Sequence, residues 1–176
     1  AEDCPSGTDR IASVIDSIDA EIIVNVQGDE PLIKGFVIDV MVEALKADSA
    51  DVATPVYRLN NIEDVKNPNI VKVVRASDNR ALYFSRSPVP YIRDVEFDNW
   101  TDGFQYWGHV GLYAFRRKVI SEYGDLPKGK LEDAEKLEQL RLLEAGKRII
   151  AVEIDYRPHA VDVAEDLEYV KMELAT

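Results

Sequence analysis

The chain has 176 residues, enough for one domain with a proper core, and 46% of them are hydrophobic. A net charge of −12 argues against a nucleic-acid partner, because neutralising phosphates takes clustered Lys and Arg, and no run approaches the roughly 18 apolar residues of a membrane helix. A single cysteine, Cys4, excludes an internal disulfide framework and fits a reducing compartment; with no basic and apolar leader at the start, the expected location is the cytoplasm.

The opening "AEDCPSGTDRIASVI" begins in polar loop sequence and enters a helix near Asp9 that runs to about Ser17. No strand precedes that loop. Ile22–Val26 reads as a buried strand and runs into the turn "QGDEP". Residues 35–47 carry Phe36, Val37, Val40, Met41, Ala44 and Leu45 at helical spacing. "DVATPVY" is a short strand, and "NIEDVKNPN" a helix and turn closed by Pro68. "IVKVVRASDNRALYFSRSPVPY" holds two strands around Ser77-Asp78-Asn79, a hairpin. Residues 92–105 read as an irregular polar loop and "YWGHVGLYAFRR" as one continuous central strand. "LEDAEKLEQLRLLEAG" reads as one helix, with Leu131, Ala134, Leu137, Leu140 and Leu143 on a single face and Gly146 ending it. "RIIAVEI" is a further strand, and "AEDLEYVKMELA" a last helix with Leu167, Val170 and Leu174 inward. Alternating strands and helices give an α/β class, and no repeat or linker divides the chain, so 1–176 is expected to be a single domain.

Two acidic stretches carry chemistry. An α/β sheet binds ligands at the carboxyl ends of its strands, where "VNVQGDEP" puts Asp29, and Gly28 lets the backbone turn sharply there. Carboxylates at a strand end commonly hold Mg²⁺, which takes oxygen ligands and is often shared with substrate phosphates. In "HAVDVAEDLEYV", Asp162 sits in an apolar setting between a strand and a helix. The plainer role for such acids is helix capping, for which Glu165 and Asp166 are better placed than Asp162. An acidic chain that handles phosphates needs either a metal ion or a basic segment elsewhere.

"SGTDRIA", "VNVQGDEP", "NPNIVKVV", "ALYFSRSPVPY", "HVGLYAF", "LEDAEKLEQLR" and "VDVAEDLE" follow one another in that order. Together they resemble 3-deoxy-manno-octulosonate cytidylyltransferase, the CMP-Kdo synthetase family, from Ser6 to about Val170; "YFSRSPVP" with "LEQLR" is the specific combination. The resemblance implies a three-layer nucleotide-diphospho-sugar transferase-like fold with a mixed sheet. It also implies a homodimer and a cytoplasmic reaction joining CTP to Kdo with Mg²⁺, on the route to lipopolysaccharide. By the same resemblance Asp29 and Asp162 match the metal ligands, and Ser6, Gly7, Thr8 and Arg10 match a loop that reads the cytosine. Gln27, Arg86, His109, Glu138 and Gln139 match sugar contacts, Arg86 through the fit of a guanidinium fork to a carboxylate. Glu132 and Glu135 are expected on a solvated helix face. The chain departs from the family at Val163-Ala164, where Thr-Pro is usual, and nothing in it matches the strand and basic "ARxxSxRLPGKPL"-like loop with which members begin. The chain is therefore expected to be a fragment lacking the N-terminal strands, inactive alone. A CMP-sialate-type enzyme and a catalytically dead dimerisation or sugar-binding module are the alternatives.

Overall fold

The structure, a computed structural model, describes residues 7–28, 30–158, 161, 168 and 170–172. Its organising element is the strand β2, Val52–Leu59, whose residues are buried except Arg58. A strand covered on both faces reads as near-continuously apolar rather than alternating, and "VATPV" does so apart from Thr54. The flanking strands are β1 (Ile22–Asn25), β3 (Lys72–Arg75), β4 (Ala81–Ser85), β5 (Tyr106–His109), β6 (Tyr113–Arg116) and β7 (Ile149–Glu153). Among the described residues the sheet runs β1-β6-β2-β5-β3-β4, and β7 also pairs with β2. That last pairing is parallel and the others are antiparallel, so the sheet is mixed, as expected.

The helices are α1 (Gly7–Ala12), α2 (Gly35–Ala47), α3 (Ile62–Lys66), α4 (Trp100–Gly103), α5 (Arg117–Tyr123), α6 (Lys130–Glu135) and α7 (Gln139–Glu144). They cover both faces of the sheet. On one face Val37, Met41 and Leu45 of α2 pack with Ala53, Tyr57 and Leu59. Their spacing of four places all three on one stripe, and each fully buried side chain of this kind contributes about 1.5–3 kcal/mol. On the other face Val119, Ile120 and Tyr123 of α5 and Leu140 and Leu142 of α7 pack with Val52, Val56 and Phe115. The opening helix ends at Ala12, earlier than expected, and a 3₁₀ turn at Ile15–Ser17 carries the chain on. The hairpin of β3 and β4 forms around Ser77-Asp78-Asn79 as expected, with Asn79 at φ 63°. Of the expected last helix, Val170 is described and buried, whereas Leu167 and Leu174 lie outside the described residues.

Three expectations are corrected. The run "YWGHVGLYAFRR" is two strands. Val56 pairs with His109 and Ala53 with Ala114, so residues 110–113 stand opposite residues 54–55 only. The interruption falls against Pro55, which has no N–H to give and is tolerated in a paired strand only at such a break. Residues 92–105 are partly helical, because Trp100 is buried and stacks near Tyr106 with Phe97 edge-on to it.

The third correction is the helix at 131–146. It breaks at Lys136, which stands in the left-handed region at φ 54°, and forms the pair α6 and α7. Leu131 and Ala134 are exposed in consequence. Charge satisfaction accounts for the break. Glu132 is buried and bound through both oxygens by Arg141, at 2.7 and 2.6 Å. Glu144 at the end of α7 accepts from the first N–H groups of α6, at Lys130 and Leu131, where a carboxylate meets the positive end of a helix. Gly129 makes room, since a Cβ there would lie 1.8 Å from a Glu144 oxygen. Glu135 accepts from the Ser85 hydroxyl at 2.7 Å and the Arg86 N–H at 2.9 Å. Glu132 and Glu135 thus lie on no solvated face.

Lys72 on β3 has no exposed surface, and its ammonium donates to the carbonyls of Asn67 (2.8 Å), Ile70 (2.6 Å) and Arg86 (2.6 Å). Three protons meet three acceptors, which fastens the turn before β3 to the end of β4. Lys72→Met would leave the carbonyls buried and unpaired, at about 1–3 kcal/mol for each group left so. Urea unfolding of the variant should show a loss of roughly 3 kcal/mol or more; a loss well below 1 kcal/mol would show that water or repacking replaces the ammonium.

Candidate active site

β1 delivers the chain to the site and ends at Asn25. Asn25 is 5% exposed and its Nδ2 donates to the Thr8 hydroxyl at 3.4 Å, so β1 is tied directly to the start of α1. A Cβ on Gly7 would lie 3.1 Å from Gln27 Oε1 and 3.3 Å from its Nε2. The "SGT" loop and the "QGDEP" turn are therefore in contact, which joins the residues expected to read the nucleotide to one expected to touch the sugar. Arg10 is exposed on α1. Ser6, Asp29 and Asp162 lie outside the described residues.

A second tie crosses from α1 to α7. Arg141, held by Glu132, reaches Asp9 at 3.4 Å and places its guanidinium 4.7 Å from the Tyr123 ring centroid. The hydrogen bonds to Glu132 hold the Arg141 pKa above its already high ordinary value. Gln139 begins α7 at 2% exposure, and its Nε2 has no hydrogen-bond partner among the described residues. Glu138 immediately precedes it. Burial, and after it the Glu138 carboxylate, pushes the Tyr113 and Tyr123 phenols up.

His109 closes the same neighbourhood from β5. Its ring centroid is 5.5 Å from Tyr113 and 5.1 Å from Phe84. Tyr113 pairs with Asn25 across the sheet. His109 is half-buried, and desolvation of its ring pushes the pKa down to about 3, which favours the neutral imidazole. Its Nε2 stands 2.8 Å from the Thr54 hydroxyl of β2. Arg86, at the end of β4, is partly committed: Nε donates to the Glu135 carbonyl at 2.9 Å and Nη1 to the Pro68 carbonyl at 3.0 Å.

Gly7, Thr8, Gln27, His109, Glu138 and Gln139 are thus drawn together around the end of β1 and the interruption between β5 and β6, with Arg86 beyond Phe84. The pattern offers neutral donors and acceptors with one carboxylate, which suits a polyhydroxylated ligand more than a bare anion. Thr54, Glu135 and Arg141 are participants that sequence reading passed over. Pro55 inside an apolar strand was a usable signal for the first, because it marks a break. The pairing of Glu132 with Arg141 had none, since a spacing of nine faces inward only once the helix folds back. A cleft of about 420 Å³ opens at the far end of β2 and β7, lined by Tyr57, Asn61, Asp64, Glu153 and Arg157 among others. It contains no expected site residue, and four of its charged side chains are paired as Arg58–Glu153 and Arg157–Asp64. Among the described residues no three His, Cys, Asp or Glu side chains gather to hold a metal ion, and no helix is long and apolar enough to cross a membrane.

Comparison with known proteins bears on the family and the fold. The family described as Cytidylyltransferase matches residues 1–149. A 3-deoxy-manno-octulosonate cytidylyltransferase of Flavobacterium johnsoniae is 43% identical over 166 residues, covering 93% of this chain and 66% of the relative. The enzyme of that name from Geobacter sulfurreducens is 46% identical over 176 residues, covering 97% and 70%. The chain thus spans about two thirds of the length of these relatives. A solved structure of CMP:2-keto-3-deoxy-manno-octonic acid synthetase complexed with CTP superposes with a TM-score of 0.90 at 38% identity, over 98% of this chain and 69% of that one. A glucose-1-phosphate thymidylyltransferase from Bacillus anthracis, with a TM-score of 0.63 at 12% identity, shares the fold alone, over 98% of this chain and 62% of its own. Sequence and structure agree over nearly the whole chain, which belongs to the 3-deoxy-manno-octulosonate cytidylyltransferase family.

Proposed function

We propose that this chain carries the sugar-binding side, and part of the nucleotide-binding side, of an enzyme that joins CTP to Kdo, giving CMP-Kdo and pyrophosphate. The observation that carries the reading is the convergence of "SGT", "QGDEP" and "LEQLR" on one neighbourhood, fastened by Asn25–Thr8 and by Arg141 between Asp9 and Glu132. The relatives' shared name and the CTP complex of the similar structure support it. The sugar's anomeric hydroxyl forms a bond to the α-phosphorus while the bond from that phosphorus to pyrophosphate breaks. Gln139 donates to the sugar from Nε2, Glu138 accepts from its hydroxyls, and neutral His109 adds a polar contact without a charge. Arg86 has Nη2 left to meet the sugar carboxylate. The residues that would hold Mg²⁺ are Asp29 and Asp162; two carboxylates are the hard oxygen donors this ion takes, and it would supply charge neutralisation between two anionic substrates. The cytoplasm is the proposed compartment, in keeping with the lone cysteine.

The metal assignment is tested by Asp29→Asn and Asp162→Asn in the full-length enzyme. Each should cost mainly turnover, because the ion acts on charge that develops in the transition state. Near-normal turnover of either variant across a Mg²⁺ titration would remove that residue from the site.

For Arg86, replacement by Ala should raise KM for Kdo more than KM for CTP, by about ten- to a hundredfold, the equivalent of roughly 1.5–3 kcal/mol for a hydrogen bond between charged groups. If both constants are unchanged, Arg86 only clamps Glu135 and Pro68. The proposal further includes a homodimer through the segment from about Tyr83 to Phe115, where Tyr91 is 75% exposed and Val95 and Phe104 also face outward. Sedimentation at micromolar concentration should show a dimer, and Tyr91→Glu should shift it toward monomer; a monomeric wild type would refute the contact.

A further inference from the structure

Thr54 is fully buried, and its hydroxyl has three polar neighbours: the carbonyl of Leu112 at 2.8 Å, the carbonyl of Val110 at 3.3 Å and Nε2 of His109 at 2.8 Å. A hydroxyl has one proton and two lone pairs. Both carbonyls can only accept, and both belong to the segment that interrupts the strand opposite Pro55. If the proton went to His109 instead, the Leu112 oxygen would face a hydroxyl oxygen at 2.8 Å with no hydrogen between them, and a buried carbonyl would lose its partner, which is costly. The proton therefore goes to Leu112, and the Thr54 oxygen must accept from the ring. That fixes the proton of neutral His109 on Nε2 and leaves Nδ1 bare. No described residue makes a hydrogen bond with Nδ1.

We infer that Thr54 is a positioning residue of the sugar site: its hydroxyl, oriented by the Leu112 carbonyl, locks His109 in the Nε2–H tautomer and leaves Nδ1 as an acceptor for a hydroxyl of the sugar. The inference rests on His109 being a sugar contact, the reading given under the proposed function. The enclosure of the half-buried ring by Phe84 and Tyr113 supports it, since a ring that does not take up a second proton keeps one nitrogen as an acceptor. The consequence is selectivity. A site whose histidine can only accept favours a hydroxyl at that position of the sugar over a keto or ether oxygen, which has no proton to offer.

The test uses the full-length enzyme with ¹⁵N-labelled histidine. The His109 signals are identified as those lost in His109→Gln. In the wild type near neutral pH, Nε2 of His109 should resonate as a protonated ring nitrogen and Nδ1 as an unprotonated one. Thr54→Val, which keeps the shape and removes the hydroxyl, should give averaged tautomers, and Thr54→Ser should restore the wild-type pattern. In turnover, Thr54→Val should raise KM for Kdo roughly five- to tenfold, the size expected from one neutral hydrogen bond, with KM for CTP unchanged and Thr54→Ser close to wild type. A proton on Nδ1 in the wild type overturns the inference, as does a Thr54→Val spectrum identical to the wild type. If the tautomer shifts as expected but neither Thr54→Val nor His109→Gln changes KM for Kdo, the sugar-contact reading of His109 falls and Thr54's role in the site falls with it, whereas the tautomer assignment stands. Should Thr54→Val fail to fold, the wild-type and Thr54→Ser spectra still decide, since both must show Nε2 protonated.

Discussion

Pro55 in the middle of the central strand is the constraint from which the rest of the site follows. A residue without an N–H cannot be laddered on both edges, so the facing strand must leave it. The chain does this by placing residues 110–113 opposite residues 54–55, with a tight turn in which the Leu112 N–H meets the Val110 carbonyl at 2.7 Å. Such a turn frees carbonyls inside the sheet, and Thr54, next to the proline, supplies the hydroxyl that they face. His109 is the last residue of β5 before the break and Tyr113 the first of β6 after it. A side chain that an unbroken strand would have confined to a pleat is thereby turned to where its ring meets Phe84, Tyr113 and the Thr54 hydroxyl.

The fold-back of α6 on α7 has a similar logic at a different cost. A buried ion pair seldom adds stability over a well-packed apolar pair, but losing one partner is severe because the other charge is stranded. Glu132 and Arg141 are 8% and 9% exposed and bonded through both oxygens, and Asp9 takes a further guanidinium N–H. The arrangement links three elements far apart in sequence, α1, α6 and α7. Its value is geometric: it ties α1, which carries Thr8, to α7, at whose start Glu138 and Gln139 stand. Glu135 does the same on the outer side, joining the break at Lys136 to the end of β4 through Ser85 and Arg86.

Local periodicity made most of the elements legible. α2 runs over residues 35–47 as its apolar spacing requires, and the turn at Asn79 was visible from Ser-Asp-Asn between a valine-rich run and an aromatic one. The failures share one cause. "YWGHVGLYAFRR" and "LEDAEKLEQLRLLEAG" each have a clean local pattern, and each is interrupted by a pairing that the pattern does not show: Pro55 on a distant strand in one case, and Glu132 with Arg141, nine residues further along the same run, in the other. Leu131 and Ala134 fit a helical stripe in sequence yet point outward, because a buried carboxylate took the inward place. The candidate site was read chiefly through resemblance. Spacing alone says that Gln139 belongs on a helix; only the assembled structure shows its amide at 2% exposure with an unmet donor.

That unmet donor bears on how such a site recognises a sugar. A buried amide N–H that neither protein nor water meets costs about 1–3 kcal/mol. The same group becomes worth its full hydrogen bond when an oxygen of the right ligand arrives, and it stays unpaired when a ligand lacks that oxygen. Discrimination built this way reaches far beyond what a merely close-fitting pocket achieves, because the wrong ligand leaves the penalty in place. On the proposed reading, Gln139 offers a donor and His109 an acceptor, each set before the ligand binds: the amide by its place at the start of α7, the imidazole by Thr54. Little reorganisation is then left for the binding step.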